Sequence, residues 1–302
     1  MRIVFASSYR GDFQALRGEA MRLYYAIYTP DPGQCPAVRG TGPSVLLSYH
    51  YYKRFDLDQL LEEQLGADTR VFLDSGAFSA HTLGAPIQES EYIEFIKRFS
   101  HRLECYSVLD DIRSPEATWD SQRRMEDAGL RPLPTWHVRE TLEWLEHYLD
   151  RGYERIAVGG MVPFLARPKA LMPKLVQAHL LAEGRARLHG FGATSWTIAK
   201  QVPWDSVDSS SWTGCVRFFQ LDLFDRRTAT FRKLPLGDRA LWYRHARQLA
   251  EIGADPEPFA SWPKGKPIKG DDRVALLSMS ARSYALAAAH AGRMHSQNRR
   301  EP

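Results

Sequence analysis

The feature that most constrains this chain is a rhythm. Short apolar or β-branched runs, each ending in polar or glycine residues, alternate with longer amphipathic stretches. Eight runs have the length and composition of strands: Arg2–Ala6, Ser44–Tyr49, Val71–Asp74, Tyr106–Asp110, Leu133–His137, Arg155–Gly159, Arg187–Phe191 and Trp204–Asp208. Helical spacing fills most gaps, at Asp56–Leu65, Glu89–Phe99, Pro115–Ala128, Arg139–Asp150, Pro168–Glu183 and, more briefly, Ser195–Gln201. Strands alternating with helices predict parallel β-α units. Eight such units predict an α/β fold closed as a (β/α)8 barrel of the TIM type, with an open doubly wound sheet as the alternative.

A Gly/Pro-rich loop is expected at Thr29–Pro43. Beyond the eighth strand the pattern changes. Phe218–Leu234 reads as a strand pair turning around Asp225–Arg227, Arg239–Ile252 as a helix, Trp262–Gly270 as a stiff basic loop, and Val274–Ala291 as a closing helix before a frayed end, HSQNRREP. No linker divides the chain, so one domain over 1–302 is expected: a barrel core over about 1–215 and a small C-terminal elaboration over about 216–302.

No apolar run reaches the roughly 18 to 20 residues that span a bilayer, and the first residues show no signal-peptide core. A cytoplasmic protein without membrane contact is therefore expected. The three cysteines, Cys35, Cys105 and Cys215, are scattered and read as packing residues. Net charge is +4, and basic residues thicken late in the chain, at Arg226, Arg227, Arg232, Lys233, Lys264, Lys266 and Lys269. Such a distribution fits a solvated surface or a phosphate-binding stripe. With neither a G-x-G-x-x-G nor a P-loop, no nucleotide cofactor is expected.

The strand ends carry the chemistry. Val71–Leu73 runs into Asp74-Ser75-Gly76, Ser107–Leu109 into Asp110-Asp111, Leu133–Trp136 into His137, and Ile156–Val158 into Gly159-Gly160. The last two end in His189-Gly190-Phe191-Gly192 and Asp208-Ser209-Ser210. In a barrel these ends meet at one mouth, where such folds place their active sites. Asp111 or Ser75 alone fits a helix cap equally well. Asp74, Asp110 and Asp208 together, with neighbouring glycines, point instead to a site. Carboxylates of this kind suit glycosidic chemistry, one as nucleophile and another moving a proton. A divalent metal ranks lower, because no H-x-x-x-H or D-x-D spacing is present.

At these residues the chain resembles the tRNA-guanine transglycosylase family. Asp74-Ser75-Gly76-Ala77-Phe78 is similar to its DSGG-aromatic motif and Val108-Leu109-Asp110-Asp111 to its FDE motif. Ala157-Val158-Gly159-Gly160-Met161 is similar to its IGGL segment. His189-Gly190-Phe191-Gly192 and Asp205-Ser206-Val207-Asp208-Ser209 resemble its MGVG and nucleophile segments. The order is the family's, over about residues 70–212.

The resemblance implies roles. Asp208 would attack C1′ of a nucleotide and expel guanine, and Asp74 would act as general base for an incoming 7-deazaguanine. Asp110, with Asp111 and Ser75 beside it, would recognise the guanine-type edge. The backbone of Gly159, Gly160 and Met161 would read the carbonyl or 7-substituent. Phe78 would stack on the base, with core packing as its other reading. His189 stands where the family has an apolar residue, and His137 where it has a base-binding glutamine. Each histidine fits a structural role as well as a ligand contact.

The family's zinc site needs three closely spaced cysteines and a histidine after the nucleophile; here only Cys215 follows Asp208, so no metal is expected. The resemblance is thus closest to the shorter branch that inserts 7-deazaguanines, such as the 7-cyano form, into DNA in phages and some bacteria. Arg226, Arg227, Lys264 and Lys266 would contact the nucleic-acid backbone. The same reaction on tRNA, or an inactive nucleic-acid-binding barrel subunit, are the alternatives.

Overall fold

The computed structural model describes residues 21–27, 33–39, 41, 44–164, 167–193 and 195–298. Eight strands form one curled, wholly parallel sheet: β1 (Arg22–Ile27), β2 (Ser44–Ser48), β3 (Arg70–Asp74), β4 (Leu103–Tyr106), β5 (Thr135–His137), β6 (Arg155–Gly159), β7 (Arg187–Gly190) and β8 (Ser206–Ser209). Their order is β4-β3-β2-β1-β8-β7-β6-β5, so the chain wraps in sequence order with β1 joining β8. The expected first strand, Arg2–Ala6, lies outside the described residues; the sheet begins instead with RLYYAI at Arg22.

The expected closed barrel is not continuous. β4 and β5 are the sheet's two edges, linked by a single parallel bridge, Ser107 to Leu133. Leu133 sits between Pro132 and Pro134, and Pro134 turns the other way, its carbonyl accepting from Ala157 N on β6 (2.8 Å). Leu133 alone donates to Tyr106 O (2.8 Å) and accepts from Val108 N (3.0 Å).

Side-chain alternation builds the layers. Tyr24, Ala26, Leu46, Phe72, Leu133 and Ala157 point inside the curl and pack together. The alternate residues, such as Tyr25, Val45 and Leu73 on one side and Val158, Leu188 and Val207 on the other, meet the outer helices in two larger clusters. A strand's side chains repeat every second residue. Two positions beyond Leu46, Phe72, Thr135 and Ala157 therefore place Ser48, Asp74, His137 and Gly159 on the same inner face, above the apolar plug.

Most expected helices are present, with shifted ends. Glu89–Phe99 matches its expected bounds; the others run Pro115–Asp127, Leu142–Asp150, Pro168–Ala182 and Trp196–Gln201. Asp56 caps a helical turn at Leu57–Leu60 that continues as a wider turn over Leu61–Leu65. The Thr29–Pro43 loop contains a helix, Gln34–Arg39. Arg239–Ile252 is split into Arg239–Arg244 and Ala246–Glu251, and the last helix, Gly270–Asn298, takes in the first four residues of the end expected to fray, the other four lying outside the described residues.

The C-terminal elaboration is an antiparallel hairpin, β9 (Gln220–Asp225) with β10 (Thr230–Pro235), held by that last helix. Ser283 Oγ accepts from Phe224 N and donates to Asp222 O, each at 2.8 Å. The same helix accepts the Tyr25 hydroxyl at Ala281 O (2.8 Å), so hairpin and sheet share one core.

Candidate active site at the strand ends

At the C-terminal ends of the strands lies an open cleft of ≈ 220 Å³. Asp74, Asp110, His137, Gly159, Gly160 and Asp208 all line it, with Ala26, Leu46 and Phe191 below and Phe78, Ile112, Val162 and Pro163 at its sides. Phe78 is 53% exposed, a large aromatic face left open to solvent beside three carboxylates.

Asp74 ends β3 and makes a tight turn, its Oδ2 accepting the Gly76 N–H at 3.0 Å. Gly76 is required there. Its φ is +79°, and a Cβ would lie 2.6 Å from both Ser48 Oγ and His50 Cβ. Burial, and then the charges of Asp110 and Asp208, push the Asp74 carboxyl up to about 7. At neutral pH it is poised to hold or release a proton.

Asp208 lies on β8, buried, with Oδ1 accepting the Gly192 N–H at 2.7 Å. His189 Nε2 is 3.5 Å from that same oxygen, too far for a good hydrogen bond. His189 does not line the cleft. It is 1% exposed, sits edge-on to Tyr24 and Phe191, leans against Phe72, and is bonded through Nδ1 to Ser206 Oγ at 2.9 Å. Burial lowers its pKa although Asp208 acts in the other direction. His189 is thus a neutral wall behind Asp208.

Asp110 stands beyond the end of β4, in a loop, with both oxygens engaged. Ser75 Oγ donates to Oδ1 (3.0 Å), and His137 Nε2 is 2.9 Å from Oδ2. The Ser75 side chain is fully buried and supports Asp110 from behind; the Ser107 hydroxyl bonds the Ser75 N–H at 2.9 Å.

Of the residues expected at the base, Ser75, Asp111, Met161 and His189 do not line the cleft. Asp111 is exposed, lines a neighbouring cavity, and accepts the N–H groups of Arg113 (2.8 Å) and Ser114 (3.1 Å), the turn that leads into Pro115–Asp127. The Met161 side chain is wholly buried in the outer core.

The chain matches no family model and no curated protein sequence.

The four basic residues expected on the nucleic-acid backbone fall at two ends of the hairpin. Arg226 and Arg227 occupy the exposed turn between β9 and β10. That end is anchored where Trp196 Nε1 donates to Ala229 O (2.6 Å), just beyond the loop that carries Gly192. Lys264 and Lys266 belong to the opposite end, where Gly237 N donates to Phe259 O (2.9 Å) and abuts Trp262 O. A six-residue strand separates them by roughly 20 Å. Lys266 also stacks over Trp262 at 4.0 Å and pairs with Asp272.

Sequence reasoning missed Arg139 and Glu140 and gave Gly192, named in its strand-end motif, no role of its own. Arg139 is an exposed cation on the cleft wall, 5.6 Å over the Phe164 ring, and Glu140 braces His137. Among the described residues no group of three His, Cys, Asp or Glu side chains is arranged to hold a metal ion, and no helix is long and apolar enough to cross a membrane. Cys215 is buried, and burial pushes its thiol up to about 12.

Proposed function

We propose that this protein is a base-exchange glycosyltransferase that replaces guanine in DNA with a 7-deazaguanine derivative, such as the 7-cyano form. In this reading the curled sheet is a (β/α)8 barrel of the TIM type, with its active site at the strand ends.

The observation that carries the reading is the pairing of two unlike carboxylates in one cleft. Asp208 has one oxygen fixed by the Gly192 N–H, and its Oδ2 carries no hydrogen bond among the described residues. Asp74 holds a proton whose release falls near pH 7. Carboxylates held in such different surroundings divide into nucleophile and acid–base roles.

Asp208 Oδ2 attacks C1′ as the C1′–N9 bond breaks, and the departing guanine takes the Asp74 proton. The incoming 7-deazaguanine gives its N9 proton to the Asp74 carboxylate and attacks C1′, breaking the ester to Asp208. Both half-reactions balance without a redox or nucleotide cofactor. Phe78 stacks on the base, Asp110 accepts its N–H edge, and the Gly160 backbone lies beside it. A base within a duplex must first be extruded to reach the cleft.

DNA is favoured over tRNA because only Cys215 follows Asp208, where the resembling tRNA enzymes bind zinc. The test supplies labelled 7-cyano-7-deazaguanine with guanine-containing DNA or tRNA. Label entering DNA alone supports the proposal, and label entering tRNA alone moves the substrate. Absence of label from both, with DNA binding retained, supports a binding subunit instead.

A further inference from the structure

His137 is the centre of a carboxylate–imidazole–carboxylate chain on the cleft floor. Its Nδ1 lies 2.8 Å from Glu140 Oε1, and its Nε2 lies 2.9 Å from Asp110 Oδ2. Ionised carboxylates only accept hydrogen bonds, so both contacts are satisfied only when both ring nitrogens carry protons. The ring is 4% exposed, and burial opposes its charge. The bonds to Asp110 and Glu140 nevertheless lift its pKa to about 10.

The surroundings are consistent with a fixed cation. Tyr148, packed nearby, is raised out of the titrating range by burial and then by Glu140. Lys174 donates to the Glu140 carbonyl, Arg139 lines the same cleft, and Asp74 feels the charge of Asp110. Gly159 makes room for the ring: a Cβ there would meet His137 Cδ2 at 2.8 Å and Nε2 at 3.2 Å. The glycine that a sequence reader assigns to ligand approach is thus already covered by an imidazole.

We propose that Glu140 is a positioning residue. Through His137 it locks Asp110 as an acceptor of fixed orientation. It thereby sets a preference for a base edge bearing two N–H donors over one bearing a single donor. The clamp stands on geometry alone, whereas the preference rests on the base-exchange reading. With Ser75 on Oδ1 and His137 on Oδ2, Asp110 cannot turn to suit another edge. Both His137 N–H groups are spent on carboxylates, so the ring offers no donor to a base carbonyl. A ligand lacking one donor leaves a buried carboxylate lone pair unpaired, which is where strong discrimination arises.

The experiment has two readouts on the full chain. Nitrogen-15 NMR follows the His137 ring in the free protein, and calorimetry compares guanine with hypoxanthine, which lacks the 2-amino group. The wild-type ring is expected to stay doubly protonated until the pH approaches 10. In Glu140→Gln it is expected to titrate near neutrality, with the guanine preference falling about tenfold. Gly159→Ala displaces the ring with Glu140 in place and is expected to lose the same preference, which covers a Glu140 variant that folds poorly. A wild-type ring titrating near 6.5, or a Glu140→Gln protein unchanged in both readouts, overturns the proposal. If the wild type binds neither base, the preference and the base-exchange reading fall together, while ring protonation still decides the clamp.

Discussion

His189 Nε2 lies 3.5 Å from Asp208 Oδ1, the oxygen that already accepts the Gly192 N–H at 2.7 Å. One oxygen of Asp208 is thereby held against the protein, and the other is left to the cleft. Asp208→Asn preserves an acceptor for Gly192. Thermal stability is expected to stay within about 1 kcal/mol of wild type, while base exchange falls by at least about 10³-fold. Calorimetric melting beside a labelled-base assay checks both halves; comparable loss of stability and activity argues for a structural role only.

Asp74 gives a prediction of opposite sign. Its folded pKa is raised to about 7, above the roughly 3.9 of an unfolded aspartate. Between those values the folded state holds a proton that the unfolded state has released, so stability declines as pH rises through the window. Asp74→Asn removes that decline. The variant is expected to be more stable than wild type at pH 8, on the order of 1–2 kcal/mol given the cleft's access to water. The gap should close towards pH 4, and exchange activity should fall at least about 10²-fold. Urea melts across that range, with parallel curves for the two proteins, are the unfavourable outcome.

His189 is held neutral by burial, with its pKa lowered. Its unfolded imidazole takes up a proton near 6.5. The stability associated with the neutral ring is therefore present above that pH and is lost as pH falls below it. His189→Leu is expected to be less stable at pH 7.5 by about 1 kcal/mol, through the lost Ser206 bond. That deficit should shrink at pH 5. Melting temperatures at the two pH values decide it, and a deficit independent of pH counts against a buried neutral ring.

The basic residues separate by position. Arg226→Ala with Arg227→Ala is expected to weaken DNA binding and flatten its log–log salt dependence by about 1 per lost phosphate contact. Lys264→Ala with Lys266→Ala is expected to leave both nearly unchanged, because those lysines lie at the far end of β10 and Lys266 is already paired. Fluorescence anisotropy over a salt series measures the slopes. Equal effects from both pairs point to a footprint that covers the whole hairpin.

Much of this was legible in the sequence because strand ends punctuate it. Asp74, Asp110, His137, Gly159, Gly160 and Asp208, named from their places after apolar runs, line one cleft. β1 was not legible: in RLYYAI both faces are largely buried, so the strand lacks the polar alternation that marks a half-exposed one. Arg139 and Glu140 were hidden because they extend a helical pattern, yet the helix begins only at Leu142 and both residues sit in the turn that follows β5. Asp111 turns to the neighbouring cavity rather than the cleft, since adjacency in a motif does not fix which way a side chain faces. That β4 and β5 meet at a single bridge was not legible either, because strand pairing joins residues far apart in the chain.

The most direct measurement is intact-protein mass analysis after incubation with a guanine-containing DNA oligonucleotide and no incoming base, followed by peptide mapping. A covalent DNA adduct on Asp208, absent from Asp208→Asn, is the predicted result. An adduct on another residue, or base exchange that persists in Asp208→Asn, contradicts the assignment of Asp208 as nucleophile.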